Sequence, residues 1–272
     1  MRKLPVALQV YSIRGEAAQD FKGAMQKVKE MGYDGVELAG LYGHAPEEIR
    51  DILKEVGLTA ISAHVPYLDL VADMEDTIDQ YVTIGCSYIA VPYLTEEYRP
   101  GTDKFSEVVE NIVKLGKICR QKNVVLLYHN HDFEFTKMED GRYALDFLYE
   151  TVSPEFLQTE IDTCWVNVSG VDPAGYIRKY ANRSPVVHLK DFVGEKSRNM
   201  YKLIGIDDAN KQDKSNFEFR AVGYGKQDFP SIMEASIEAG AKWVVVEQDV
   251  HYENTAMEDS RLSLEYLKGL GF

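Results

Sequence analysis

The sequence predicts a single (β/α)8 barrel over 1–272, eight parallel strands ringed by helices, and three observations carry that reading. Short β-rich runs alternate with longer helical stretches eight times in 272 residues, and one α/β barrel typically takes about 250 residues. Titratable residues recur at the C-terminal ends of the strand runs, where barrel enzymes gather their sites. No GxGxxG or Walker A pattern follows the first strand, which weakens an open nucleotide-binding sheet.

Each element follows from local pattern. Val6–Tyr11 reads as strand one, and the helical composition of Asp20–Met31 stops at Gly32, a natural C-cap. Gly35–Leu38 is strand two, and the helix Pro46–Val56 stops at Gly57. Leu58–His64 is strand three, closed by Pro66, and a helix over Glu75–Ile84 ends at Gly85. Tyr88–Val91 is strand four, before the longest helical pattern, Asp103–Lys122. Val124–Tyr128 is wholly apolar, as a strand buried on both faces should be. Then come the helix Ala144–Thr151, strand six at Leu157–Ile161, the helix Pro173–Tyr180 and strand seven at Val186–Leu189. The helix Phe229–Ala239, strand eight at Trp243–Glu247 and a closing helix Ser260–Leu270 complete the count. Phe192–Val222 breaks the rhythm: it is long, polar and aperiodic, and contains DDANKQDKSN over Asp207–Asn216. It is placed as a loop over the barrel mouth after strand seven, either a binding loop or a plain solvated insertion.

Composition bounds the function. The net charge of −14 excludes non-specific nucleic-acid binding, which needs a basic footprint. Three cysteines without CxxC spacing suit free thiols in a reducing compartment. No stretch approaches the roughly 18 apolar residues of a membrane span, and no signal-like apolar run follows the N-terminus. The expectation is a cytoplasmic enzyme with no membrane or nucleic-acid partner. Homo-oligomerisation is left open, with the aromatic loop Tyr93–Tyr98 as a contact surface.

Four of the six histidines fall at strand ends, with several carboxylates. Strand two offers Glu37, strand three His64, strand five His129, Asn130 and His131 with Glu134 beyond, strand six Glu160 and Asp162, strand seven His188, Lys190 and Asp191, and strand eight Glu247 and Asp249. Imidazole and carboxylate together are a ligand set for one divalent ion, Mn, Zn, Fe or Mg. Each residue also has a plainer reading. Lys190 and Asp191 suit an ion pair, Glu160 a buried partner for Lys190, Glu37 a buried ion pair, Trp165 core packing, and His44 and His251 solvent.

The segments EIDTCWV (Glu160–Val166), VHLKD (Val187–Asp191) and WVVVEQD (Trp243–Asp249), with AVGYGKQDF and the tail SRLSLEYLKGLG, resemble the sugar phosphate isomerase/epimerase branch of the xylose-isomerase-like barrels. The resemblance covers nearly the whole chain. It implies a metal held by Asp162, His188, Glu247 and a strand-five Glu. That Glu is replaced here: the usual Glu-Asn-His reads His129-Asn130-His131. Either His129 or Glu134 is then the fourth ligand, with His129 favoured. The implied activity is isomerisation or epimerisation of a sugar or keto-sugar, by proton abstraction beside a carbonyl through a metal-bound enediolate. Glu247, His131, Glu134 and Lys190 are the catalytic candidates, and His64, Glu37 and Trp165 the substrate contacts. Loss of the strand-five Glu removes one base of a two-base epimerase and raises the alternative of a lyase or dehydratase acting on a keto-polyol or 3-keto-glycoside. A non-catalytic binding barrel and an apurinic-site endonuclease are the remaining readings. The three retained ligands speak against the first, and the charge against the second.

Overall fold

The computed structural model describes residues 4–196 and 216–272. Eight parallel strands close into one barrel: β1 (Val6–Gln9), β2 (Gly35–Ala39), β3 (Thr59–His64), β4 (Tyr88–Val91), β5 (Val125–His129), β6 (Gln158–Asp162), β7 (Val186–Leu189) and, from the end of the chain, β10 (Trp243–Val246). Pairing of Val6 with Val244 between β1 and β10 seals the ring. The chain is thus a (β/α)8 barrel, and the sequence-predicted strand bounds lie within two residues of those observed.

The period of two along the strands builds the lumen in layers. Ala7, Leu127, Val186 and Val245 point inward with Ile61 and Ala90 as an apolar floor. Two residues on, Gln9, His129, His188 and Glu247 form a polar layer toward the mouth, all buried. Glu160 and Asp162 follow the same alternation on β6.

The outer helices are α1 (Arg14–Gln19), α2 (Phe21–Met31), α3 (Pro46–Val56), α4 (Tyr67–Ala72), α5 (Met74–Ile84), α6 (Phe105–Gln121), α7 (Ala144–Thr151), α8 (Thr163–Val168), α9 (Pro173–Lys179), α10 (Phe229–Glu238) and α11 (Ala256–Gly269). Their ends obey local rules: Asp20 caps α2 through the Gly23 N–H, and Gly57 ends α3 at φ 81°.

Three differences from the sequence reading have local causes. Strand one ends at Gln9 rather than Tyr11, because the Gln9 side chain accepts from the Tyr11 N–H and turns Val10–Ile13 into a 3-10 helix. The short helices α1, α4 and α8 lie below the length at which periodicity registers. The segment read as a loop over Phe192–Val222 has structured ends. β8 (Asp191–Val193) and β9 (Glu218–Arg220) pair antiparallel, Phe192 opposite Phe219. The acidic and basic run Asp207–Asn216 lies, apart from Asn216, outside the described residues.

Candidate active site

Strand register brings the candidate side chains together. His129 on β5 lies beside Glu160 on β6, and Asp162 beside His188 on β7. Asp162 is also the N-cap of α8, accepting from the N–H groups of Cys164 and Trp165 through Oδ1. That leaves Oδ2 turned toward the mouth, buried and without a hydrogen bond. His188 Nδ1 lies 2.9 Å from Glu247 Oε2, while its Nε2 lies 2.7 Å from Glu37 Oε1. His129 Nε2 is 3.7 Å from Asp162 Oδ2.

His129, Asp162, His188 and Glu247 each offer a ligand atom, all within 4.8 Å of one another, and form a candidate metal-binding cluster. Glu134, the alternative fourth ligand, stands elsewhere: its carboxyl accepts from the Tyr128 hydroxyl at 2.7 Å and the His131 N–H at 2.9 Å. A second constellation lies deeper. His64 Nε2 is 2.7 Å from Glu160 Oε2 and 3.0 Å from Glu37 Oε1, and Gln9 donates to Glu37 at 2.6 Å. Glu160 therefore partners His64 and His129 rather than Lys190. Lys190 does not pair with Asp191 either. Its Nζ lies 3.0 Å from Glu247, 2.9 Å from Asp249 and 3.3 Å from Asp162. Asp191 is taken up by the backbone N–H groups of Phe192, Gly223, Gly225 and Gln227.

Burial and charge set the protonation states. Burial opposes the imidazolium of His64, but Glu37 and Glu160 outweigh it and push its pKa up to about 10. His188 is raised for the same reason. Burial likewise opposes the Glu247 carboxylate, yet Lys190 and His188 hold it ionised, well below the usual range. His129 and His131 go the other way: burial, then the neighbouring cations, hold both rings neutral at pH 7. Asp249 rises to about 6, burial prevailing over Lys190.

Above these residues opens a cavity of about 610 Å³, lined by His64, His129, His131, Lys190, Glu247 and Asp249 at its floor and by Tyr11, Tyr67, Tyr81 and Tyr93 on its walls. Lys190 is the only Lys or Arg among its described lining residues. Glu37, Glu134 and Trp165 are fully buried and do not line it. Trp165 lies behind His131, ring centroids 5.0 Å apart. Asp249, which the sequence reading left without a role, is an integral neighbour of Lys190. His251, read as solvated, is tied to Asp259 at 2.7 Å and to the Ser12 carbonyl at 3.0 Å.

A fold and site of this kind define a (β/α)8 barrel whose candidate metal cluster sits at the strand C-termini. The chain belongs to the xylose isomerase-like TIM barrel family, whose model matches residues 25–270. It is similar to an inosose dehydratase of Clostridium tetani, 28% identical over 166 residues, which cover 58% of this chain and 49%, about half, of that relative. A second inosose dehydratase, of Geobacillus kaustophilus, is 22% identical, with 83% of this chain and 79% of the relative covered. In structure the chain resembles a sugar phosphate isomerase/epimerase of Parabacteroides distasonis, with a TM-score of 0.77, 20% identity and 98% of each chain covered. No described helix is long and apolar enough to cross a membrane.

Proposed function

We propose that the chain is a lyase that eliminates water from an unphosphorylated keto-polyol, starting with removal of the proton beside the ketone. One observation carries this reading. A neutral imidazole, His131, shares a cavity with an ammonium, Lys190, held among three carboxylates. Elimination needs a base at one carbon and a donor to the hydroxyl leaving the next. His131 is the base, its ring backed by Trp165 and its backbone N–H held by Glu134. Lys190 donates to the departing oxygen and offsets its charge. A phosphate would find no further cation among the described lining residues, whereas tyrosine rings suit the faces of a cyclic polyol. The dehydratase activity of the aligned relatives points the same way.

The donor set fits a divalent cation: two imidazoles and two carboxylates, buried, with Asp162 Oδ2 lacking a hydrogen bond. Asp162, His188 and Glu247, with His129, would hold it, and Mn, Zn, Fe and Mg all accept such ligands. When bound it would polarise the ketone and neutralise charge gathering on its oxygen.

Isomerisation or epimerisation is the second reading, favoured by the fold neighbour from Parabacteroides distasonis. It shares the first proton transfer but must return a proton to carbon. Metal-loaded protein incubated with cyclic keto-polyols and 3-keto-glycosides in D2O separates the two. Elimination gives a conjugated product absorbing in the near ultraviolet, while epimerisation gives a deuterated isomer of unchanged composition. His131→Ala should lower kcat by about 10²–10⁴-fold. Turnover undiminished in that variant, or no exchange with any of these compounds, overturns the assignment.

A further inference from the structure

We propose that the barrel mouth holds two divalent cations, the second lying below the first and bound by Glu37, His64 and Glu160 together with His129, which then serves the second ion rather than the first. This holds whichever reaction the site performs, since it concerns the ground-state composition of the buried layer.

Geometry is the first argument. Glu160 Oε2 lies 2.7 Å from His64 Nε2 and 3.3 Å from His129 Nδ1, and Glu37 Oε1 lies 3.0 Å from His64 Nε2. Four donors at 2.0–2.1 Å from one ion stand about 3.3 Å apart in a tetrahedron; His64, His129 and Glu160, with His188, each offer a ligand atom within 4.8 Å of the others, and Glu37 Oε1 stands beside both His64 and His188. The rings divide between the two sets. His188 turns Nδ1 to Glu247 in the upper set, and its Nε2, buried and without a hydrogen bond, stands 2.7 Å from Glu37 Oε1 of the lower one. His129 turns Nδ1 down to Glu160, with Nε2 at the longer 3.7 Å from Asp162. On this assignment a histidine stands at the end of β5, where relatives of the resembled branch carry Glu, because the ring serves the deeper ion.

Unmet valence is the second argument. Glu37 Oε2, Glu160 Oε1 and His129 Nδ1 are buried with no hydrogen bond. The apolar floor of Ile61, Leu127 and Val186 lies in the lumen beneath them.

Charge is the third. Glu37, Glu160, Asp162, Glu247 and Asp249 are buried together near the strand C-termini, with Lys190 as the one ammonium among them in the described residues. With the carboxyls ionised and the rings neutral, as metal ligands are, five carboxylates against one ammonium leave four negative charges out of water, and uncompensated buried charge costs several kcal/mol per ion. A single divalent ion with neutral rings leaves two of them; two such ions leave none.

Metal content of the full-length protein, equilibrated with Mn²⁺ or Zn²⁺ and freed of excess, tests this. The expected result is two ions per chain in the wild type and one in either Glu160→Gln or Asp162→Asn. Anomalous scattering from crystals of the Mn²⁺-loaded wild type should give two peaks, one between His64 and Glu160. A wild type that binds one ion, with a single peak among Asp162, His188 and Glu247, overturns the proposal. So does a folded Glu160→Gln protein with full wild-type content. Should that variant fail to fold, as circular dichroism would show, the wild-type peaks decide.

Discussion

At the scale of the residue, neighbouring carboxyls in one barrel do different work because their surroundings differ. Glu247 is held ionised by Lys190 and His188, whereas Glu134, with no cation beside it, is pushed up to about 8 by burial despite the donors Tyr128 and His131 N–H. The sign of the consequence follows. With a folded pKa near 8 against an ordinary 4.5, the folded protein binds more protons than the unfolded chain between those values. Stability is therefore highest below about pH 4.5 as far as this group is concerned, and falls as pH rises to 8, by at most about 1.4 kcal/mol per pH unit. Glu134→Gln keeps an acceptor for Tyr128 or His131 and removes the titration. Its stability by urea denaturation should exceed that of the wild type at pH 8 and match it near pH 5. An equal difference at both pH values would mean that Glu134 does not titrate in this window. None of this was legible in the sequence. Glu134 lies five residues past His129, and only the turn Phe133–Phe135 decides that it folds away from the candidate metal cluster.

At the scale of the element, the strongest organising feature beyond the barrel is the single side chain of Asp191. It gathers the N–H groups of Phe192, Gly223, Gly225 and Gln227, at 2.7–3.2 Å, and so fastens the turn before α10 to the end of β7. The packing leaves no room for a side chain on the turn: a Cβ on Gly225 would stand 2.2 Å from Asp191 Oδ1. Asp191→Ala strands buried donors and should cost about 2–4 kcal/mol, read as a lowered denaturation midpoint at unchanged m-value. Gly225→Ala should reproduce the loss. An Asp191→Ala protein as stable as the wild type would show that water replaces the carboxylate. The sequence pattern located the strands well because their apolar alternation faces an apolar floor. It located Lys190 and Asp191 but not their partners, since an ion pair between adjacent residues and separate engagements across 30 to 60 residues look alike in one dimension. The same limit applied to Glu160, whose partner His64 is 96 residues away.

At the scale of the molecule, the barrel closes around a layer whose carboxylates outnumber its fixed cations, so the state of that layer should govern the stability of the whole. A ligand that binds the folded chain alone stabilises it by about 4 kcal/mol at a thousandfold excess over Kd. In a chain of this size each kcal/mol moves Tm by roughly 2–4 °C. Stripping metal with a chelator should therefore lower Tm by about 8–16 °C per site, and adding Mn²⁺ or Zn²⁺ back should restore it. Asp162→Asn should show a smaller drop. The pH profile separates cations from protons as the compensating charge. Without metal, protons on the rings must offset the carboxylates, and the folded pKa of His64 stands at about 10 against an ordinary 6.5. A base raised in this way stabilises fully below pH 6.5 and loses that contribution as pH climbs through 10. The chelated protein should thus weaken steadily between those values. The loaded protein, with His64 neutral against a cation, should lack that slope. A Tm that ignores the chelator, with the same alkaline slope in both preparations, would mean that protons alone balance this layer and that the barrel does not depend on metal for its stability.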